Sequence, residues 1–463
     1  MIFKKVEGSF RDPSGFLFWK DNYLYRQINE SYRKDYSYLM SSGLYQDLIN
    51  KDLLIPHREI EDTAFSDYYK LISPELIPFI SYPYEWSFSQ LKDAALLTLE
   101  IQKLALSYGM VLKDASAYNI QFKNGKPIFI DTLSFEIYKE GSPWVAYKQF
   151  CQHFLAPLAL IAFKDFRLNQ LLRVFIDGVP LDLASSVLPI YTYLKPSILL
   201  HMHLHAKTQK RYENKDISKD INKRKVSGNS LKFLVDSLFS AVNKLKWKAV
   251  GTEWVDYYDG DSYTEQGFNN KKCIVKEFLD IVKPKKVWDL GANNGVFSRI
   301  AMEQGAQVVS FDIDAACVDN NYNCAKKKGD KNLLPLVLDL VNPSAGIGWD
   351  NIERLSVPDR GPADLVMGLA LIHHLSISNN VPFKKIAEFF RKLGKHMIIE
   401  FVPKQDKKVQ KLLLTRKDIF EDYIEECFEE EFGAFFDIEM KMPIEDSLRT
   451  LYLMKRKKIY KNV

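Results

Sequence analysis

One short stretch constrains this chain more than any other: Asp289-Leu290-Gly291-Ala292-Asn293-Asn294-Gly295, set between two apolar segments of different period. Residues 285–290 have the composition of a buried strand, and 296–304 have helical spacing. Glycine at the join permits a tight turn with positive φ and lets a ligand come close to the backbone. The N–H groups that open the helix then face whatever occupies the turn.

The alternation continues downstream. Residues 307–314, 333–340, 363–371 and 396–402 read as strands, 315–328 and 382–393 as helices, and 435–440 with 450–455 as a closing strand pair. Repeated strand–helix units predict an α/β domain built on a doubly wound, Rossmann-like sheet. Ligands of such sheets bind beyond the carboxyl ends of the strands. Asp289, Asp312 and Asp339 fall at the ends of three consecutive strands. An acid in the second of these places suits the two hydroxyls of a ribose, and Asp339 lies where an adenine amino group would sit. A dinucleotide fingerprint needs a second glycine where Asn293 stands. Asp289 would repel a pyrophosphate but suits a cationic ligand.

With these residues the C-terminal half resembles the class I S-adenosylmethionine-dependent methyltransferases. The resemblance implies that Asp289, Gly291, Asn293 and Gly295 hold the methionine end of the cofactor, Asp312 the ribose, and Asp339 with Leu340 the adenine. The segments GLALIHHL, NNVPF, IIEFVPK and SLRTLYLM are similar to bacterial methyltransferases grouped with a rhizobial nodulation host-specificity protein. The expected reaction moves a methyl group to an oxygen or nitrogen acceptor, with a glycan or small molecule favoured.

Three further residues fall on the acceptor side. His373 and His374 follow the fourth strand. A neutral imidazole there can take a proton from a hydroxyl or amine, and a structural pair shaping the turn fits the pattern as well. Glu400 ends the fifth strand, either orienting an acceptor or a histidine or pairing with a lysine such as Lys404. Trp254, Tyr257, Tyr258 and Tyr263 precede the first strand as a lid or as packing.

The N-terminal half carries a second pattern: Asp114 five residues before Asn119, then a hairpin with an Asn-Gly turn ending at Asp131. That spacing resembles the kinase and phosphotransferase superfamily. The resemblance implies an α+β, kinase-like domain in which Asp114 is a base and Asn119 and Asp131 hold magnesium for ATP. The departures are Leu112-Lys113 before Asp114, Thr132-Leu133 after Asp131, a bare Asp12-Pro13-Ser14-Gly15 turn in place of a glycine-rich loop, and Arg26 as the one stand-in for a paired lysine. The alternatives are therefore a bifunctional kinase–methyltransferase, as in the bacterial enzymes that cap O-antigen chains with the modules in reverse order, or a kinase-like module that recruits the acceptor.

Residues 206–230 are rich in lysine and arginine and poor in large apolar side chains, so they read as a basic linker between a domain at 1–205 and one at 231–463. The linker keeps nucleic acid among the candidate partners. His201, His203 and His205 alternate; on a strand they would share one face and offer metal ligands, but without a carboxylate set nearby no metal site is assigned. The net charge of +5 favours no partner class. Five cysteines without a CxxC pair speak against a zinc ribbon or disulfide framework and fit a reducing, cytoplasmic location. The longest apolar run, 154–163, is too short to span a bilayer.

Overall fold

The structure, a computed structural model, describes residues 3–61, 68–207, 227–248, 263–414 and 416–458. The chain divides into two compact units. The first comprises Met1–Lys248 with Gly346–Arg354, the second Ala249–Ala345 with Leu355–Val463.

The first unit opens with a five-stranded antiparallel sheet. Its strands are β1 (Phe3–Lys5), β2 (Gly15–Lys20), β3 (Tyr23–Ile28), β4 (His57–Ile60) and β5 (Lys70–Pro74), in the order β1-β2-β3-β5-β4. Asp21 and Asn22, both at positive φ, form the two-residue turn between β2 and β3, the conformation that matches strand twist in a hairpin. Ile28, Tyr32, Tyr36, Ile72 and Leu133 form one core cluster. The long helix Phe88–Ser107 starts at a capping box of Ser87 and Gln90. After it come two small antiparallel pairs, β6 (Met110–Leu112) with β9 (Phe135–Ile137) and β7 (Ile120–Lys123) with β8 (Lys126–Phe129). Asn124 and Gly125, again at positive φ, make the expected turn between β7 and β8.

Two features of this unit differ from the sequence reading. His201 and His203 lie in the helical segment Leu199–Leu204, not on a strand. Residues two apart on a helix point to roughly opposite sides, so His203 is turned away from His201 and His205. His201 bonds to Tyr147 and Ser237, His203 to Ser185 and Thr192, and His205 stacks on Tyr147. Among the described residues no group of three or more His, Cys, Asp or Glu is placed to hold a metal. Secondly, a boundary at 230/231 would cut the helix Gly228–Lys244, whereas the two units meet at Lys248. Leu231, Val235, Leu238 and Val242 are buried, and the helix packs on Phe88–Ser107. Most of the basic linker, 208–226, lies outside the described residues.

The second unit is the expected doubly wound sheet. Its strands are β10 (Lys286–Leu290), β11 (Gln307–Asp312), β12 (Leu333–Val337), β13 (Ala363–Gly368), β14 (Gly394–Phe401), β15 (Phe436–Pro443) and β16 (Thr450–Arg456), in the order β12-β11-β10-β13-β14-β16-β15. The first five run parallel, and β16 is antiparallel to both β14 and β15. Val287, Val308, Leu365, Ile398 and Leu453 are fully or almost fully buried in one core with Val275 and Phe278 of the helix Glu265–Val282. Strand order reverses at β10, where chain connections depart to both sides and open a crevice beyond the strand ends. Among the described residues no helix is long and apolar enough to cross a membrane.

Candidate functional site

The turn after β10 is held through its backbone N–H groups, which bond to β11. Gly291 and Ala292 donate their N–H groups to the Phe311 carbonyl at 2.8 and 2.9 Å. Asn293 donates its N–H to Asp312 Oδ2 at 2.7 Å. Gly291, Asn293 and Gly295 all have positive φ, and Gly295 caps the helix Val296–Glu303. A Cβ on Gly295 would lie 2.5 Å from Asn321 Nδ2, itself buried, so only glycine fits. The turn thus bends back onto β11 and brings Asp289 and Asp312 to one cavity.

That cavity has a volume of about 380 Å³ and is lined by Asp289, Gly291, Asn293, Asp312, Asp339 and Leu340, among others. Gly295 stands behind the turn and shapes it. Asp289 is buried and accepts a hydrogen bond from Ser298 Oγ at 2.5 Å. Burial pushes its carboxyl up to about 6, with Ser298 opposing and Asp312 adding to the rise. Asp312 is also pushed up to about 6 by burial, against the N–H groups of Asp314 and Asn293 that favour its charge. Asp339 accepts from the Val341 N–H at 2.8 Å. A buried acid, a partly exposed one, both held above the usual carboxylate range, and a third at the rim form a wall suited to a cation with several hydroxyl and amino groups.

The opposite wall contains Leu371, His374, Leu375 and Ser378. His374 faces the cavity, and burial, helped by the charges of Arg449 and Lys408, lowers its imidazole to about 4. His373 does not line the cavity; it is fully buried and neither ring nitrogen has a hydrogen-bond partner. Burial holds it far below the usual histidine range. Both rings are neutral at physiological pH, so the pair offers acceptors and donors of hydrogen bonds but little basicity.

Glu400 points into the protein and is completely buried. Its partners are Lys271 Nζ at 2.6 Å, the Ala370 N–H at 2.8 Å, Arg449 Nη1 at 3.4 Å and the Tyr263 hydroxyl. Burial alone would raise its carboxyl, but Lys271 and Arg449 bring it below the usual value. Lys404 instead pairs with Asp418 at 3.0 Å, because it lies past the strand end, out of reach of a buried carboxylate. Glu400 also anchors Ala370, a non-glycine residue at φ 51° where β13 gives way to the histidine turn. Arg449 completes the cluster by gripping Asp406 with two nitrogens, at 2.7 and 3.1 Å.

Lys271, Arg449, Asp406 and Ala370 went unread in the sequence. Lys271 and Arg449 reach Glu400 from a helix and a strand far along the chain, and no local spacing marks any of the four. Tyr263, read as lid or packing, is a hydrogen-bonding member of the cluster; Trp254, Tyr257 and Tyr258 lie outside the described residues.

In the first unit, Asp114 accepts from the Ser116 N–H at 2.9 Å and from the Asn119 side chain, and its carboxyl is raised by burial and by the charge of Asp131. Asn119 also donates to Ser134 Oγ at 3.2 Å. Asp131 accepts from the Leu133 N–H and Ser134 Oγ and forms an ion pair with Arg26. Arg26, read as the stand-in for a lysine that pairs with a glutamate, bridges two aspartates, Asp131 and, at 3.1 Å, Asp12. The three residues of the N-terminal pattern therefore do come together, with a guanidinium among them.

No family model matches the chain. Parts of it are similar to solved structures at low identity. The magnesium protoporphyrin IX methyltransferase ChlM from Synechocystis PCC 6803, with bound SAM, aligns over 45% of this chain and 92% of its own at 16% identity and a TM-score of 0.32. A SAM-dependent methyltransferase from Aquifex aeolicus aligns over 42% of this chain and all of its own (13% identity, TM-score 0.28). The bifunctional kinase-methyltransferase WbdD aligns over 46% of this chain and 44% of its own (18% identity, TM-score 0.29). Over nearly the whole chain the likeness is to one curated protein, the nodulation protein NoeA of Rhizobium meliloti (strain 1021): 34% identity over 461 residues, 98% of this chain and 96% of that one. At that identity and extent, the chain belongs to the family of the nodulation protein NoeA.

Proposed function

We propose that the second unit binds S-adenosylmethionine and transfers its methyl group to an oxygen or nitrogen acceptor, a glycan or other small molecule. One observation carries this reading: Asp289, Asp312 and Asp339 stand at the ends of three neighbouring parallel strands and line one cavity beside a turn that only glycine can make. The glycine turn lets the amino-acid end approach the backbone, Asp289 suits its cationic groups, Asp312 the ribose hydroxyls, and Asp339 with Leu340 the adenine. When bound, the cofactor would supply an electrophilic methyl group to the acceptor's lone pair, with its sulfur as the leaving group and the acceptor's proton released. His374, facing the cavity, orients the acceptor by a hydrogen bond from its neutral ring, and the acceptor's proton passes to water. His373 and Glu400 stand behind this surface and position it. Alignment and removal of water do the main work in such a displacement.

Calorimetric titration with S-adenosylmethionine tests the reading. Micromolar binding is expected, weakened by about 30-fold or more in Asp312→Ala, in line with losing charge-assisted hydrogen bonds to two hydroxyls. No binding by the native protein overturns it.

For the first unit, the ion pair of Arg26 with Asp131 favours a kinase-like module that recruits the acceptor over a phosphotransferase. A carboxylate already held by a guanidinium, a hydroxyl and an N–H does not fit as a magnesium ligand. No ATP binding is expected at millimolar magnesium; magnesium-dependent ATP binding lost in Asp131→Ala would restore the bifunctional reading.

A further inference from the structure

Lys271 has no part in the reading above, yet it lines the same cavity as Asp289 and is almost completely buried. It projects from the helix Glu265–Val282, with its Nζ 4.8 Å from the centre of the Tyr263 ring and 4.7 Å from that of Phe297. An ammonium has three donors. One goes to Glu400 Oε2 at 2.6 Å and one to the Tyr263 hydroxyl at 3.0 Å. The third is left for a ligand in the cavity. Glu400 does not require Lys271 for satisfaction, since Arg449, Tyr263 and the Ala370 N–H also donate to it. Lys271 is thus a buried, ion-paired ammonium that also lines the cavity and has one donor to offer a ligand there.

Asp289 and Lys271 are close enough that each alters the other's ionisation. A buried carboxylate and a buried ammonium facing one cavity are the complement of a zwitterion. We infer that Lys271 is the binding residue for the carboxylate at the amino-acid end of S-adenosylmethionine, with Asp289 opposite it on the cationic groups. The inference rests on the proposed cofactor and adds a discrimination that the acids alone do not give. The site selects ligands that carry a free α-carboxylate, while Glu400, Arg449 and Tyr263 act as positioning residues that hold the ammonium in place.

The test is to compare S-adenosylmethionine with its decarboxylated form, which keeps the sulfonium, amine and nucleoside. Calorimetry on the native protein at neutral pH should show the decarboxylated ligand bound about 10- to 100-fold more weakly, the range for one charge-assisted hydrogen bond. In the double variant Lys271→Met with Glu400→Gln, which removes both charges and leaves neither unpaired, that preference should fall to about 3-fold or less. Equal binding of the two ligands by the native protein, or a preference that survives in the variant, overturns the inference while leaving the cofactor assignment intact. Binding of neither ligand by the native protein overturns the cofactor assignment itself. Should the variant not fold, a crystal structure of the native protein with S-adenosylhomocysteine decides. A carboxylate oxygen within about 3.2 Å of Lys271 Nζ supports the inference, and a carboxylate bound elsewhere overturns it.

Discussion

Asp289 and Asp312 face one cavity, and burial pushes both up to about 6, against about 3.9 for a free aspartate. Because both are raised above their unfolded values, their protonated forms stabilise the ligand-free fold. That contribution is complete below about pH 4 and is lost as pH rises through about 6. A cationic ligand has the opposite preference and favours the ionised acids. Affinity for S-adenosylmethionine should therefore climb from about pH 5 to about pH 7 and then level off, while the free protein melts at a lower temperature over the same interval. Titrations and melting curves across that range check both; affinity independent of pH there would contradict the assignment of Asp289 and Asp312. At Gly295 the constraint is steric. A methyl group would meet Asn321 at a backbone angle that side chains rarely adopt. Gly295→Ala is expected to cost about 1–3 kcal/mol in chemical denaturation and to weaken cofactor binding. His373 makes the opposite forecast. Its two buried nitrogens lack partners, so an apolar ring of similar size loses nothing there. His373→Phe should leave stability within about 1 kcal/mol of the native protein or raise it, whereas His374→Ala should lower the methyl-transfer rate without changing the fold.

Strands β13 and β14 show how an element becomes a platform. They lie side by side in parallel, and the residue ending each is tied to the other: Glu400 near the end of β14 accepts the N–H of Ala370, just past the end of β13. The histidine turn is thus fixed to its neighbour by one side chain. Removing that carboxylate leaves Lys271 and part of Arg449 as buried, unpaired cations. Glu400→Ala should cost about 3–5 kcal/mol and Glu400→Gln clearly less, measurable as the shift in denaturation midpoint. This is also where sequence reading reaches its limit. Strands β10 to β14 were legible because buried parallel strands are continuous apolar runs bounded by glycine, acid or proline. The three acids were legible because they fall at fixed places on those runs. The Glu400 cluster was not, since Lys271, Arg449 and Asp406 meet only after strands distant in the chain have been laid together. Lys404, four residues from Glu400, was a sequence neighbour and proved a poor guide. The alternating histidines misled for a related reason: a period of two in sequence is a strand signal only if the backbone is extended, and the surrounding leucines and methionine serve a helix as well.

On the scale of the whole molecule, two units with separate cores share one chain. A ligand confined to the second unit stabilises that unit by mass action, by about 2.7 kcal/mol at a hundredfold excess over Kd. Differential scanning calorimetry should show S-adenosylmethionine raising one transition and leaving the other in place, and Asp312→Ala should abolish the shift. A uniform shift of all the heat absorbed would mean that the units unfold together.

The sheet of the second unit does not end where the chain does. Strand β16 is the last strand in sequence, yet it sits inside the sheet with β14 on one flank and β15 on the other, and Arg449 stands at its threshold. On a ribosome this order has a consequence. The glycine turn and all three acids emerge early and can fold around their parallel strands, but the buried charge of Glu400 meets its arginine only when the final strand is threaded between its neighbours. Until then the nascent sheet has an open seam and an unfinished ion cluster beside its ligand cavity. Synthesis that stops short of Arg449 therefore yields a chain with its glycine turn and three acids in place but with Glu400 short of one of its buried partners and the sheet open between β14 and β15.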